Sequence, residues 1–203
     1  TDFYNAEICI LEINENEEDK TFDVDCIKIK NLTCVKELHE KIIPGRTSIY
    51  DLKLPYFLQG QLIYAWDVAK TKDILKSIFG SGVEFMLNDL CLEVSKVMPA
   101  LRFKTSQELK SISKIGKYID SENTVIRSLF NLYISYCKHI ISKQKPLQAE
   151  NERKDLQLVG LAALADIMPM KNENRVFVKQ CISSIKKDGP RPGLREILSL
   201  LRL

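Results

Sequence analysis

The 203 residues are 45% hydrophobic with a formal net charge of +3, a composition that supports a sizeable core and excludes a disordered chain. No apolar run approaches the roughly 18 residues needed to span a bilayer; the longest, Leu156 to Ile167, is interrupted by Gln157. Six dispersed cysteines (Cys9, Cys26, Cys34, Cys91, Cys137 and Cys181) contain no C-x-x-C pair, so they read as buried thiols sooner than as a disulfide framework, although the even count leaves bridges open.

The N-terminus, Thr1-Asp2-Phe3-Tyr4, has no basic segment leading into an apolar one, so no secretory signal is expected. The first fifty residues read as strand-rich. Ala6 to Ile13 is an apolar run, and an acidic turn follows from Asn14 to Asp19. Phe22, Val24 and Cys26 then alternate with Asp23 and Asp25 before the phase changes to Ile27 and Ile29, which predicts a bulge or a strand break at Cys26–Ile27. Val35, Leu38 and Ile42 recur at helical spacing, with Pro44-Gly45 as the stop.

From Pro55 every segment reads as helix. Tyr56 to about Lys70 forms one, and Thr71 to Phe79 a second that Gly80 ends. Ser81-x-x-Glu84 is a capping box ahead of a stripe of Val83, Leu87, Leu90, Val94 and Val97. Thr105-x-x-Glu108 is another, opening a helix with Leu109, Ile112, Ile115 and Ile119 on one face. Ser121 is expected to cap a helix over about 124–142, whose polar residues Arg127, Asn131, Ser135, Lys138 and Ser142 form a narrow stripe. Lys143 to Arg153 reads as a polar connection. Leu156 to Ile167, rich in Gly160, Ala162, Ala163 and Ala165, reads as a central helix in close contact with neighbours. Asn172 is expected to cap a helix through Lys187, Gly189-Pro190 to break it, and Gly193 to Leu203 to form the last. The expectation is an α+β protein, with a small β-rich domain over residues 1–53 and an all-α domain over 54–203.

No catalytic constellation is visible. Only His39 and His139 are available to a Ser-His-Asp or Cys-His site, and Cys137 and His139 sit two positions apart, pointing about 200° away from each other on a helix. No Cys or His pair has zinc-ligand spacing. Asp23 and Asp25 share a strand face, which reads as solvated sooner than as a cation site. Phe79-Gly80-Ser81-Gly82 lacks phosphate-loop spacing. No enzyme activity, metal or cofactor is therefore expected.

Charge is uneven: residues 1–100 hold 11 Lys+Arg against 17 Asp+Glu, and residues 101–203 hold 19 against 10. Lys110, Lys114 and Lys117 share one helical stripe, and Arg175, Lys179 and Lys186 fall within about 40° around another. These six are candidate nucleic-acid contacts, acting on phosphates without base stacking; a solvated surface is the competing reading. Tyr56, Phe57, Tyr64 and Trp66 cluster near the strand–helix junction. Tyr56 and Phe57, with Leu194, Leu198 and Leu201 of the apolar last helix, are candidate partner contacts.

The order Phe3-Tyr4-Asn5, an acidic turn, Thr21-Phe22-Asp23-Val24-Asp25, Ile43-Pro44-Gly45 and Leu54-Pro55-Tyr56-Phe57-Leu58 resembles a GINS subunit, one of the four accessory proteins of the eukaryotic replicative helicase. Phe57 stands where that family usually has Trp, and the residues after Met168 have no counterpart in it. The resemblance implies a non-catalytic scaffold with helical subunit interfaces, working in DNA replication or chromosome maintenance, and carries over no individual site residue. The expected function is thus a subunit of an intracellular multiprotein assembly, nuclear or cytoplasmic, with other protein subunits as partners and no membrane. A nucleic-acid-binding module using the basic C-terminal half is the alternative.

Overall fold

The structure, a computed structural model, describes residues 7–80, 82, 85–113, 124–144 and 146–201. Three strands, β1 (Ile8–Asn16), β2 (Thr21–Lys30) and β3 (Thr33–Ile42), form an antiparallel meander. Asn31 and Leu32 link β2 to β3 with φ of 51° and 60°, the two positive values that a tight two-residue hairpin turn requires. Two further strands, β4 (Leu62–Ala65) and β5 (Leu87–Asp89), lie parallel to β1, so the sheet order is β3-β2-β1-β4-β5. Among the described residues there are two short 3-10 turns, Ile49–Asp51 and Pro99–Leu101, and eight α-helices: α1 (Leu54–Leu58), α2 (Val68–Phe79), α3 (Leu90–Ser95), α4 (Ser106–Ile112), α5 (Val125–Gln144), α6 (Pro146–Ala165), α7 (Asn172–Asp188) and α8 (Pro192–Leu200). The class is α+β, as expected.

Several local expectations are corrected. Residues 33–42 form a strand, not a helix, because Leu38 and Ile42 pair with Cys26 and Phe22 of β2, and that ladder, which passes over Val35 as an extra residue, overrides their helical spacing. The register of β1 on β2 runs unbroken through Cys26 and Ile27, both buried. The phase change arises because both faces of β2 are covered, and the irregularity falls instead between Lys28 and Ile29 opposite β3. The expected helix over 56–70 is divided into α1, β4 and the start of α2, with Gly60 at φ 70° in the turn after α1. Strands are therefore not confined to the first fifty-odd residues: β4 and β5 lie beyond residue 53. Of the expected stripe, Leu87 lies in β5 and Leu90 and Val94 in α3, whose N-cap is Asp89. The polar stretch 146–153 is helical, forming the first half of α6. Lys171 holds the N-cap position of α7, where Asn172 was expected, and makes no side-chain capping bond. The Thr105–Glu108 capping box is present as read, and Gly80 and Gly189 end their helices. Ser81, Val83, Glu84, Ile115, Ile119 and Ser121 lie outside the described residues.

The described residues divide into two compact units, one holding 7–113 and 124–137, the other 138–201. In the first, alternation along β1 and β2 sends Cys9, Leu11, Ile13, Val24 and Cys26 into a core with Leu54, Phe57 and Leu58 of α1 and Leu75 of α2. Toward α5, Tyr64 of β4 meets Tyr133 with ring centroids 6.2 Å apart, and Arg127 pairs with Glu37 of β3 at 3.3 Å. All six cysteines are free thiols, with Cys9, Cys26, Cys137 and Cys181 buried; burial raises the Cys9 thiol to about 11, so it packs as a small neutral hydrophobe.

In the second unit α6 packs along α7 at Gly160. A Cβ added there would lie 2.3 Å from Cys181 Cβ and 2.9 Å from the Phe177 carbonyl oxygen, so only glycine permits this approach. Next to it Gln157 is fully buried. Its Nε2 donates to Ser184 Oγ at 3.0 Å and to the Gly189 carbonyl at 2.9 Å, while its Oε1 accepts from the Arg191 amide at 2.9 Å. One side chain thereby ties α6 to the end of α7 and the start of α8 with its hydrogen-bonding capacity largely used. The close contact expected of the Gly/Ala-rich segment is present, but α6 is not a central helix: Leu158, Val159 and Leu164 are exposed.

Candidate functional site

Two places in the fold concentrate side chains that can act on another molecule. The first is a crevice at the carboxyl ends of β4 and β5, where open α/β sheets commonly hold ligands. Asp67 follows β4 and caps α2, its Oδ1 accepting from the Lys70 amide at 3.0 Å. Asp89 ends β5 and caps α3, accepting from the Leu92 amide at 2.7 Å. Trp66 Nε1 donates to the Lys104 carbonyl at 2.7 Å, closing the floor. The resulting cavity of about 410 Å³ is lined by these residues with Cys91, Arg102, Phe103, Thr105 and Ser106.

Behind Ser106 lies Glu12, 6% exposed, accepting from Ser106 Oγ at 2.5 Å. Burial pushes its carboxyl from 4.5 up to about 7, with Asp25 and Asp67 adding to the rise and Ser106 and Lys70 opposing it. The group is poised to gain or lose a proton near neutrality, and Ser106 stands between it and the cavity. The rest of the crevice is less directed. Asp67 and Asp89 are engaged as helix caps, and Lys104 pairs with Glu108 at 3.1 Å. Among the described residues no group of three or more His, Cys, Asp or Glu side chains is placed to hold a metal ion. Glu12 escaped the sequence reading because it sits inside the apolar run Ile8–Ile13; a lone charge flanked by buried strand positions was the available signal.

The second place is the surface of the helical unit. α8 contains no buried residue: Leu194 and Leu198 are half-buried, while Ile197, Leu200 and Leu201 are exposed, Leu200 by 83%. On α7, Arg175 and Lys179 flank Val178 and Ile182, which with Met170 line a shallow, largely apolar groove. Lys186 is exposed on the same stripe.

The structure treats the sequence candidates unequally. Leu194 and Leu198 fall on α8 and Leu201 at its C-cap, and Arg175, Lys179 and Lys186 share α7. Lys110 is exposed on α4, whereas Lys114 and Lys117 lie outside the described residues, so the expected stripe is not assembled. Tyr56 is 77% exposed, but Phe57 is in the core of the first unit with Lys28 Nζ 5.1 Å from its ring centre, so it is no surface contact. Tyr64 and Trp66 likewise serve internal packing. His39 Nδ1 bonds Asp25 Oδ1 at 2.7 Å, which holds the imidazole above its usual pKa and engages Asp25 as an ion-pair partner.

Fold and surface together define a mixed α+β protein carrying a helical unit with apolar side chains on its outside. No protein-family model, curated protein or solved structure matches the chain. No helix among the described residues is long and apolar enough to cross a membrane.

Proposed function

We propose that the protein is a non-catalytic subunit of an intracellular multiprotein assembly, and that it docks a partner protein through its helical unit. One observation carries this reading: α8 is an amphipathic helix that buries none of its residues. Leaving Ile197, Leu200 and Leu201 in water forgoes roughly 1.5–3 kcal/mol for each side chain that a partner would cover, and apolar patches of this kind mark interaction surfaces. On α7, apolar Val178 and Ile182 between Arg175 and Lys179 suit a partner segment that presents aliphatic and acidic side chains together. Placement in DNA replication or chromosome maintenance belongs to the same proposal and rests on the GINS-like layout alone.

The test replaces Ile197, Leu200 and Leu201 by Ser in the full chain. The variant is expected to unfold at the wild-type temperature, since its altered side chains are already in water, and to lose the partners that wild type recovers by affinity capture. A Tyr50→Ser control, altering an exposed side chain of the other unit, keeps them. A large fall in thermal stability, or capture that survives the triple change, overturns the reading.

A further inference from the structure

The outer strand β3 presents an unused edge. It pairs with β2 on one side, and among the described residues no other backbone segment bonds to its second side. Nine of its ten residues are wholly or partly open to solvent, Ile42 alone being buried. Such a row of backbone donors and acceptors is a template for another strand. The opposite edge, β5, has three residues and offers far less.

Which strand fits is decided by parity and charge. In an antiparallel ladder a residue points both its backbone groups at one neighbour, and the next residue points both at the other. If two copies of β3 pair about a two-fold axis, outward-pointing residues must therefore face one another, so a residue, not a peptide bond, lies on the axis. An axis at Lys36, Glu37, Glu40 or Lys41 sets like charges directly opposite, which is unfavourable. An axis at His39 sets Glu37 against Lys41 twice, but it also sets His39, which Asp25 favours as a cation, against its own copy, Leu38 against Glu40 and Lys36 against Ile42. An axis at Leu38 sets Leu38 against its own copy, Lys36 against Glu40 twice, and Glu37 against His39 twice. The irregularity in β3 lies on the Val35 side of Lys36, outside this five-residue window.

The neighbouring side chains hold these charges in place. Glu40 accepts from the Lys53 and Leu54 amides at 2.9 and 3.0 Å, and Asp25 beside His39 favours its cationic form. Leu38 packs against the core that contains Phe57, so a second Leu38 across the axis would extend that apolar surface.

We infer that β3 is a self-association strand: a second copy of this chain pairs antiparallel with it about an axis at Leu38, joining the two sheets into one. The contact is isologous, each copy supplying the same residues.

Light scattering of the full chain after size exclusion is expected to give the dimer mass, and Lys36→Glu, which places Glu against Glu40 at both ends, the monomer mass with an unchanged circular dichroism spectrum. Register is read by cross-linking. In a Cys34→Ser background, Leu38→Cys is expected to form a covalent dimer on mild oxidation, because a residue on the axis faces itself, while Lys36→Cys and Cys34→Ser alone do not. The Ile197/Leu200/Leu201 variant should remain dimeric, so failure of the α8 proposal leaves this one standing. A wild-type chain that is monomeric, a dimer that Lys36→Glu leaves intact, or cross-linking stronger at position 36 than at 38 overturns the inference.

Discussion

Glu12 stands in β1 between Leu11 and Ile13, both buried, and its carboxyl is raised to about 7, chiefly by burial. Between pH 4.5 and 7 the folded protein therefore holds a proton there that the unfolded chain releases. Stability from this group is fully present below the unfolded value and is lost as pH climbs toward the folded one. At 1.36 kcal/mol per unit the loss is about 3 kcal/mol. Glu12→Gln keeps an acceptor for Ser106 and removes the ionisation. Denaturant titrations should show the variant gaining on wild type as pH rises from 4.5 to 7, with a constant difference above. A difference that does not change with pH would mean that Glu12 ionises in the fold as freely as in the unfolded chain. Cys9 and Cys26 on the same sheet, both raised by burial, stay neutral across that range and leave the comparison clean.

At the scale of elements, the contact between α6 and α7 depends on a missing side chain. Gly160→Ala would press a methyl group into Cys181 Cβ and the Phe177 carbonyl. Backbone cannot yield as a flexible side chain does, so the helices must separate. Overpacking of this kind costs about 1–3 kcal/mol. The expected result is a lower melting temperature with faster amide exchange in α6 and α7; unchanged exchange there would show that the helices are not in contact at Gly160. The Gln157 network beside it explains why a polar residue interrupts the longest apolar run: its bonds to Ser184, Gly189 and Arg191 fix where the chain leaves α7 and enters α8.

For the whole molecule, the uneven charge bears on association. The second half carries a surplus of nine positive charges, 19 Lys+Arg against 10 Asp+Glu, and Arg175 and Lys179 place two of them beside the apolar residues of α7. Charges at the rim of a contact act mainly on the encounter rate and are screened by salt. Once the α8 partner is in hand, its association rate should fall with ionic strength. Arg175→Glu with Lys179→Glu should slow association at low salt and flatten that dependence, with a smaller effect on dissociation. A salt-independent rate would remove the basic stripe from the interface, and retention of free DNA or RNA on the same stripe would favour nucleic acid over an acidic protein segment.

Much of the local structure is legible in the residues themselves. Thr105 and Glu108 announce the start of α4, Gly80 and Gly189 mark helix ends, and the polar stripe of α5 runs along its exposed side, because capping and amphipathicity act over three or four residues and need no distant partner. The α+β class follows from the same local patterns. What the tertiary structure decided is whatever depended on a partner strand or on who covers whom. Leu62 to Ala65 is a strand because β1 lies beside it, and Leu87 to Asp89 because β4 does; a run of three or four residues has no period long enough to distinguish the two states by itself. Residues 33–42 follow β2 instead of their helical spacing for the same reason. Burial of Glu12 and Phe57, and exposure of Leu158, Val159 and α8, were equally out of reach, since hydrophobic character states a preference for contact and only the assembled fold determines which side chains find it.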